Sequence, residues 1–91
     1  MVFTEFVPAV ERAIVELDDK HLIKPPVIEG NTAVFTFNRG IGKLHLITDK
    51  QVRAIARFGN HNPSLRTPDI MTDKSATLIA EFFTDKLSVA S

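Results

Sequence analysis

The stretch VIEGNTAVFTFNRGIGKLHLI, residues Val27–Ile47, decides the fold of this chain. Turn signals at residues 29–31 and 38–42 divide it into three runs with the composition of β-strands. Side chains alternate between the two faces of a strand, so each run is expected to bury one face. The stretch therefore predicts a three-stranded antiparallel meander. The positions predicted to share a face are Ala33, Phe35 and Phe37 in the second strand, and Leu44 and Leu46 in the third, with Lys43, His45 and Ile47 opposite.

A helix is predicted before the meander, from about Phe6 to about Leu17, because apolar residues recur there at helical spacing. Pro8 is compatible with this helix if it lies in or before the first turn, where a missing amide hydrogen costs nothing. Pro25 and Pro26 then favour an extended connection into the meander. The first element is thus a helix that ends before the sheet begins.

Residues 49–58 carry two conflicting patterns. Their apolar residues alternate as in a strand, but Thr48–Gln51 reads as a capping box, and Gly59 suits the position just after a helix end. These local signals favour a helix over residues 49–58, and the alternative is a fourth strand. The Gly40 and Gly42 region, in contrast, is interpreted as a hairpin turn rather than a phosphate-binding loop, with glycine supplying a positive φ.

The last predicted helix covers Ala76–Leu87, after the start signal of residues 71–75. The segment 47–58 resembles 71–82, which we interpret as shared capping chemistry rather than an internal duplication. The predicted fold class is α+β: a helix, a three-stranded antiparallel meander, then two helices packed on one face of the sheet.

Composition sets further bounds. The chain has 91 residues and no cysteine, which favours a single compact domain, residues 1–91, without disulfides or thiolate metal sites. The longest apolar run, residues 6–10, is far shorter than a membrane span. We therefore expect a soluble, cytoplasmic protein that does not associate with membranes.

The basic residues are concentrated in the middle of the chain. Residues 39–66 hold six of the eleven lysine and arginine residues but one of the eleven carboxylates, although the formal net charge is zero. This asymmetry favours an anionic partner. Residues 59–70 lack apolar periodicity and are predicted to form a long loop beside the basic residues. The candidate anion- or partner-binding residues are Arg53, Arg57, His61, Arg66, Lys50, Arg39 and Lys43.

The sequence predicts no enzyme, cofactor or metal site. His21, His45 and His61 have no histidine partner at i, i+4 spacing and no cysteine neighbour, and no serine stands in a nucleophile-elbow motif. The last helix, however, carries two apolar stripes, more than one small core needs. Leu78 and Phe82 of the second stripe are therefore predicted to form a homodimer interface.

Three functions remain open at this point. The favoured one is a small non-enzymatic interaction or regulatory module that binds another macromolecule as a homodimer. One alternative is nucleic-acid binding through the basic stretch 39–66, which the pI of about 6.8 does not favour. The other is a small-ligand pocket between sheet and helices, lined by Phe35, Phe37 and His45.

Overall fold

The protein folds as two helices packed on an antiparallel sheet, as seen in a computed structural model that describes residues 2–18, 22–48, 51–66 and 71–87. The sheet has five strands in the order of the chain, each paired with the next. The elements are α1 (Phe3–Asp18), β1 (Leu22–Glu29), β2 (Thr32–Phe37), β3 (Ile41–Leu46), β4 (Val52–Arg57), β5 (Ser64–Arg66) and α2 (Asp73–Leu87). The α+β class and the meander over Val27–Ile47 are confirmed.

Strand alternation places the core on one face of the sheet, against the two helices. Successive residues of β2 alternate between half-buried and buried, and the same alternation runs along β4. The inward positions are Ala33, Phe35 and Phe37 in β2, Leu44 in β3, and Val52, Ala54 and Ala56 in β4. The predicted faces of the second and third strands are therefore correct.

Phe83 of α2 is the centre of this core. Its ring lies 5.6 Å from that of Phe35 and 5.8 Å from that of Phe37, centroid to centroid, in tilted and edge-on geometries that aromatic pairs prefer. Gly42 makes room for it: a Cβ at residue 42 would lie 3.0 Å from the ring. The glycine is needed for close packing of the helix on the sheet.

The first helix is longer than its apolar spacing predicts. It begins at Phe3, with the Phe6 amide donating to the Val2 carbonyl at 2.8 Å. Pro8 therefore lies inside the helix and not in its first turn, which corrects the sequence-based placement. A proline at residue 8 leaves the Thr4 carbonyl without its intrahelical donor, but Thr4 is exposed, so water can hydrogen-bond to that carbonyl.

The prediction of a helix over residues 49–58 is wrong, and the alternative of a fourth strand is correct. The Gln51 amide does donate to the Thr48 hydroxyl at 3.1 Å, as in a capping box. The Ile47 amide, however, donates to the Gln51 carbonyl at 2.9 Å, which closes a hairpin turn. The chain reverses and continues as β4. The strand prevails because it buries Val52, Ala54 and Ala56 completely.

The loop predicted over residues 59–70 contains a fifth strand. Gly59, at φ +59°, turns the chain, and Phe58 and His61 pair across that turn. The three residues Ser64–Arg66 then pair with β4. So short a strand has no apolar periodicity to reveal it. Residues 67–70 lie outside the described part of the chain.

The turn at Arg39 and Gly40 is a hairpin, as predicted, but its glycine has another purpose. Positive φ values occur, within the described residues, at Gly30 and Gly59 only. At Gly40 the backbone itself is close: a Cβ there would overlap the Arg57 carbonyl oxygen. Glycine is required at this position because the Arg57 backbone lies very close to it, and not because the residue adopts a left-handed conformation.

Candidate binding surface on the open sheet face

The face of the sheet that points away from the helices is the candidate site, and we call it the open face. It consists of every second residue of each strand, with partners in register across the sheet. Its residues are Lys24, Val27 and Glu29 from β1, Thr32, Val34 and Thr36 from β2, Ile41, Lys43 and His45 from β3, Arg53, Ile55 and Arg57 from β4, and Ser64 and Arg66 from β5.

A row of basic side chains crosses the open face from β3 to β5. His45 pairs with Arg53, and Arg53 pairs with Arg66 on its other side. The His45 Nδ1 is hydrogen-bonded to the Thr32 hydroxyl at 3.2 Å, which orients the ring. Adjacent strands are about 4.8 Å apart, so two arginine residues and a histidine occupy neighbouring positions on one face. Like charges directly opposite each other destabilise a sheet.

The remaining cations lie further along the same strands. Lys43 pairs with Ile55, and Arg57 pairs with Ile41. Arg53 and Arg57 lie on the same face of β4. Four residues along a strand span about 13 Å. The two arginines are therefore separate points on one surface.

These cations have no acidic neighbours to neutralise them within the described residues. Glu29 is the single carboxylate of the open face, and it belongs to β1, three strands away from Arg53. Among the described side chains, the ion pair found within 4.0 Å joins Lys86 to Asp85 on α2, at 3.5 Å. Within the described residues, the open face is consequently a positive surface whose one carboxylate, Glu29, lies on the edge strand β1.

Apart from Glu29, the acidic side chains that the structure describes belong to the opposite layer of the molecule. Helix α1 carries Glu5, Glu11 and Glu16 against Arg12. Helix α2 adds Asp73, Glu81 and Asp85, against Lys74 and Lys86. The charge asymmetry along the sequence thus becomes an asymmetry in space, with a basic sheet face and an acidic helix layer. The formal net charge of zero reveals neither the basic face nor the acidic layer.

Arg39 and His61 lie at one end of the sheet rather than on the open face. The Arg39 guanidinium carbon is 4.9 Å from the centroid of the Phe58 ring, and the His61 ring centroid is 5.3 Å from it. Phe58 thus brings together two hairpins, and Arg39 makes a cation–π contact. Both residues can extend the basic surface at its rim. Lys50 lies outside the described residues.

Lys24 is a residue of the open face that the sequence analysis missed. The prolines after it suggest a connection, but β1 runs through them with register shifts between Lys24 and Val27. Beyond the shift Lys24 pairs with Thr36 and returns to the open face. The signal that could have indicated this irregularity is Pro25–Pro26, because proline within a strand is confined to edge strands and bulges. Thr32, which holds His45, was missed because a cross-strand hydrogen bond depends on the register.

The predicted pocket residues are not brought together. Phe35 and Phe37 lie on the inner face, against Phe83, whereas His45 lies on the open face. A cleft of about 340 Å³ does occur, at the start of α1, and its lining is neutral. That lining consists of Val2, Phe3, Thr4, Gly30, Asn31, Leu46 and Met71.

The predicted interface residues differ in exposure. Leu78 is 41% exposed on the surface of α2, while Phe82 is half-buried and packs against the core, 5.9 Å from the Phe83 ring. Leu78 is therefore available for contact with another molecule, and Phe82 presents part of its ring. The homodimer remains a prediction.

Neither described helix is long and apolar enough to cross a membrane. Comparisons of the chain with protein-family models, with curated proteins and with solved structures return no match.

Proposed function

We propose that this protein is a non-enzymatic binding module that holds an anionic macromolecule on the open face of its sheet. The observation that carries the proposal is the direct pairing of Arg53 with Arg66, beside His45. An unliganded sheet bears a repulsion of about 0.2–1 kcal/mol for such a pair. An anion placed between the guanidinium groups turns that repulsion into attraction, because each can bind an oxyanion with two parallel hydrogen bonds.

The distribution of charge favours a macromolecule over a small ion. Arg53, Lys43 and Arg57 lie on successive rows of the open face, and rows are about 6.6 Å apart. A single phosphate or carboxylate reaches one row. A chain with repeated negative charges reaches all three.

The same arrangement argues against catalysis. General acid–base chemistry needs a proton donor and acceptor that converge on one substrate atom. The carboxylates of the described residues lie in the helix layer, apart from Glu29, which is separated from His45 by the whole of β2. Binding is what such a surface supports.

The predicted homodimer is compatible with this site only if it uses the helix layer. Two open faces brought together would oppose their arginines. A dimer through Leu78 and Phe82 would instead leave both open faces accessible and make the protein bivalent. Bivalence raises the apparent affinity for a polymeric partner without any new contact.

The test is fluorescence anisotropy with two labelled polyanions of matched charge, a polyglutamate peptide and a single-stranded oligonucleotide. We expect at least one to bind, more weakly as salt rises from about 50 to about 200 mM. The variant Arg53→Glu/Arg66→Glu should lose at least about tenfold in affinity. Its matched control, Lys74→Glu/Lys86→Glu, reverses two charges in the helix layer and should retain binding. Equal losses in both variants, or no binding of either polyanion, would contradict the proposal.

A further inference from the structure

We propose that the anionic macromolecule is a protein, and that the segment bound to the open face is an acidic amphipathic one, carrying aliphatic as well as carboxylate side chains. This inference rests on the proposed function and specifies its partner. It comes from the uncharged residues of the open face, which lie between the cations.

Aliphatic side chains cross the open face between the cations. Val27 of β1 is 57% exposed and pairs with Val34, and Ile41 of β3 is 40% exposed. Ile55 of β4 is half-buried, one row from Ile41 on the neighbouring strand, within reach of a diagonal contact. These four residues are paired or diagonal neighbours on consecutive strands, and we call them the aliphatic strip: Val27, Val34, Ile41 and Ile55.

Cations border the aliphatic strip on both sides at β4, whereas Glu29 lies beside Val27 at the β1 end. Lys43 lies within it, between Val34 and Ile55 in the middle row. Arg53 precedes Ile55 by two residues on β4, and Arg57 follows it by two. A partner that matches this surface needs apolar groups beside negative ones, at the spacing of one side chain. An amphipathic segment with Asp or Glu next to Leu, Ile or Val has that composition.

A nucleic acid matches the same surface less well. Proteins that bind single strands stack the bases on aromatic side chains, and His45 is the single aromatic ring among the described residues of the open face. Aliphatic side chains offer no comparable platform. The pI of about 6.8 also falls well short of the strongly basic value typical of nucleic-acid-binding domains.

The open face has room for such a segment, whereas both edges of the sheet are poorly suited to pairing with one. The opposite face of the same five strands holds both α1 and α2, so a helix of about 10–12 Å diameter fits. A peptide could otherwise add as a strand, but the edge strand β1 contains Pro25 and Pro26 and β5 has three residues. Proline and short length both block edge pairing. The acidic segment is therefore expected to bind on the open face rather than along a sheet edge.

The experiment compares three labelled probes of equal charge: an amphipathic Leu/Glu peptide, a polyglutamate peptide and a single-stranded oligonucleotide. Binding is measured with the wild type, with Arg53→Glu/Arg66→Glu, and with Val27→Thr/Ile41→Thr, which keeps β-branched residues in the strands. The matched control is Val15→Thr/Leu17→Thr, since both residues are exposed at the surface of α1. Circular dichroism confirms that each variant is folded.

We expect the amphipathic peptide to bind about tenfold more tightly than polyglutamate. Val27→Thr/Ile41→Thr should abolish that preference and leave polyglutamate binding unchanged, and the α1 control should preserve it. Tightest binding of the oligonucleotide, or equal binding of the two peptides, would overturn the inference and leave the proposed function standing. If no probe responds to Arg53→Glu/Arg66→Glu, the proposed function itself fails.

Discussion

Arg53 and Arg66 face each other across the pairing of β4 with β5, on the side of the sheet opposite α1 and α2. Neither forms an ion pair with a carboxylate of the described residues. Such a pair weakens the sheet that contains it. Its presence is understandable if the pair contributes to binding rather than to stability.

The Arg66→Glu substitution separates these two contributions. It replaces a like-charge pair with an opposite-charge pair, so the free energy of unfolding should rise by about 0.2–1 kcal/mol at low salt. Binding to the polyanion should fall in the same variant. Urea denaturation measures the first effect, and the gain should shrink as salt is added because exposed charges are screened. A loss of stability would mean that Arg66 has a structural role and that its assignment to the site is wrong.

The two glycines of the first two hairpins should respond differently to alanine. Gly40→Ala should lower the free energy of unfolding by about 2–3 kcal/mol, because the new methyl group overlaps the Arg57 carbonyl and forces β3 and β4 apart. Gly30→Ala meets no atom within 4 Å but keeps a φ of +59°, which costs about 1–2 kcal/mol. Thermal unfolding of the two variants checks the order. The reverse order would contradict the packing described at Gly40.

The hydroxyl of Thr72 caps helix α2. It accepts a hydrogen bond from the Ser75 amide at 3.2 Å and donates one to the Ser75 hydroxyl at 3.3 Å. Thr72→Ala should therefore lower the free energy of unfolding by about 1 kcal/mol, and Thr72→Ser should restore most of it. Chemical denaturation of the three proteins provides the comparison. If serine is no better than alanine, the cap does not depend on the hydroxyl.

The predicted homodimer is tested most cleanly at Leu78. Because Leu78 is exposed whereas Phe82 packs against the core, Leu78→Asp should convert a dimer to a folded monomer without a large loss of stability. Light scattering coupled to size-exclusion chromatography gives the mass. A wild type that is monomeric at all concentrations, or a Leu78→Asp variant that stays dimeric, would refute this interface.

Much of the fold could be predicted from strand alternation and helical spacing. The meander over Val27–Ile47 and the inward positions of its second strand follow from local pattern, since period-two alternation and glycine turns have few other interpretations. The first and last helices follow likewise. The residues at which helices begin do not follow from the pattern, since α1 begins at Phe3 and therefore contains Pro8.

The segment 49–58 shows why local signals fail. Thr48 with Gln51, and Thr72 with Ser75, make the same hydrogen bond from amide to hydroxyl three residues earlier. The first closes a hairpin and the second begins a helix. A capping hydrogen bond satisfies one amide in either structure, so it cannot choose between them. The choice depends on burial against the rest of the sheet, which a local pattern does not contain.

The candidate site was predictable in composition but not in shape. Lys43, Arg53, Arg57 and Arg66 were all identified from charge density, and the structure places all four on the open face. The direct pairing of Arg53 with Arg66 depends on the register of a three-residue strand. The position of Lys24 on the open face depends on the irregular register of β1. The aliphatic strip depends on the pairing of four strands. Long-range pairing assembles the site from residues that are distant in sequence.

The most direct test of the open face as the binding surface is chemical-shift mapping on the amide spectrum of the protein, with the acidic amphipathic peptide as the titrant. The perturbed amides should cluster on the open face from β1 to β5, around Val27, Ile41, Arg53 and Arg66, while the outer surfaces of α1 and α2 stay unchanged. Shifts that cluster instead around Val15 or Leu78, or no shifts at low salt, would contradict the claim that the open face is the binding surface.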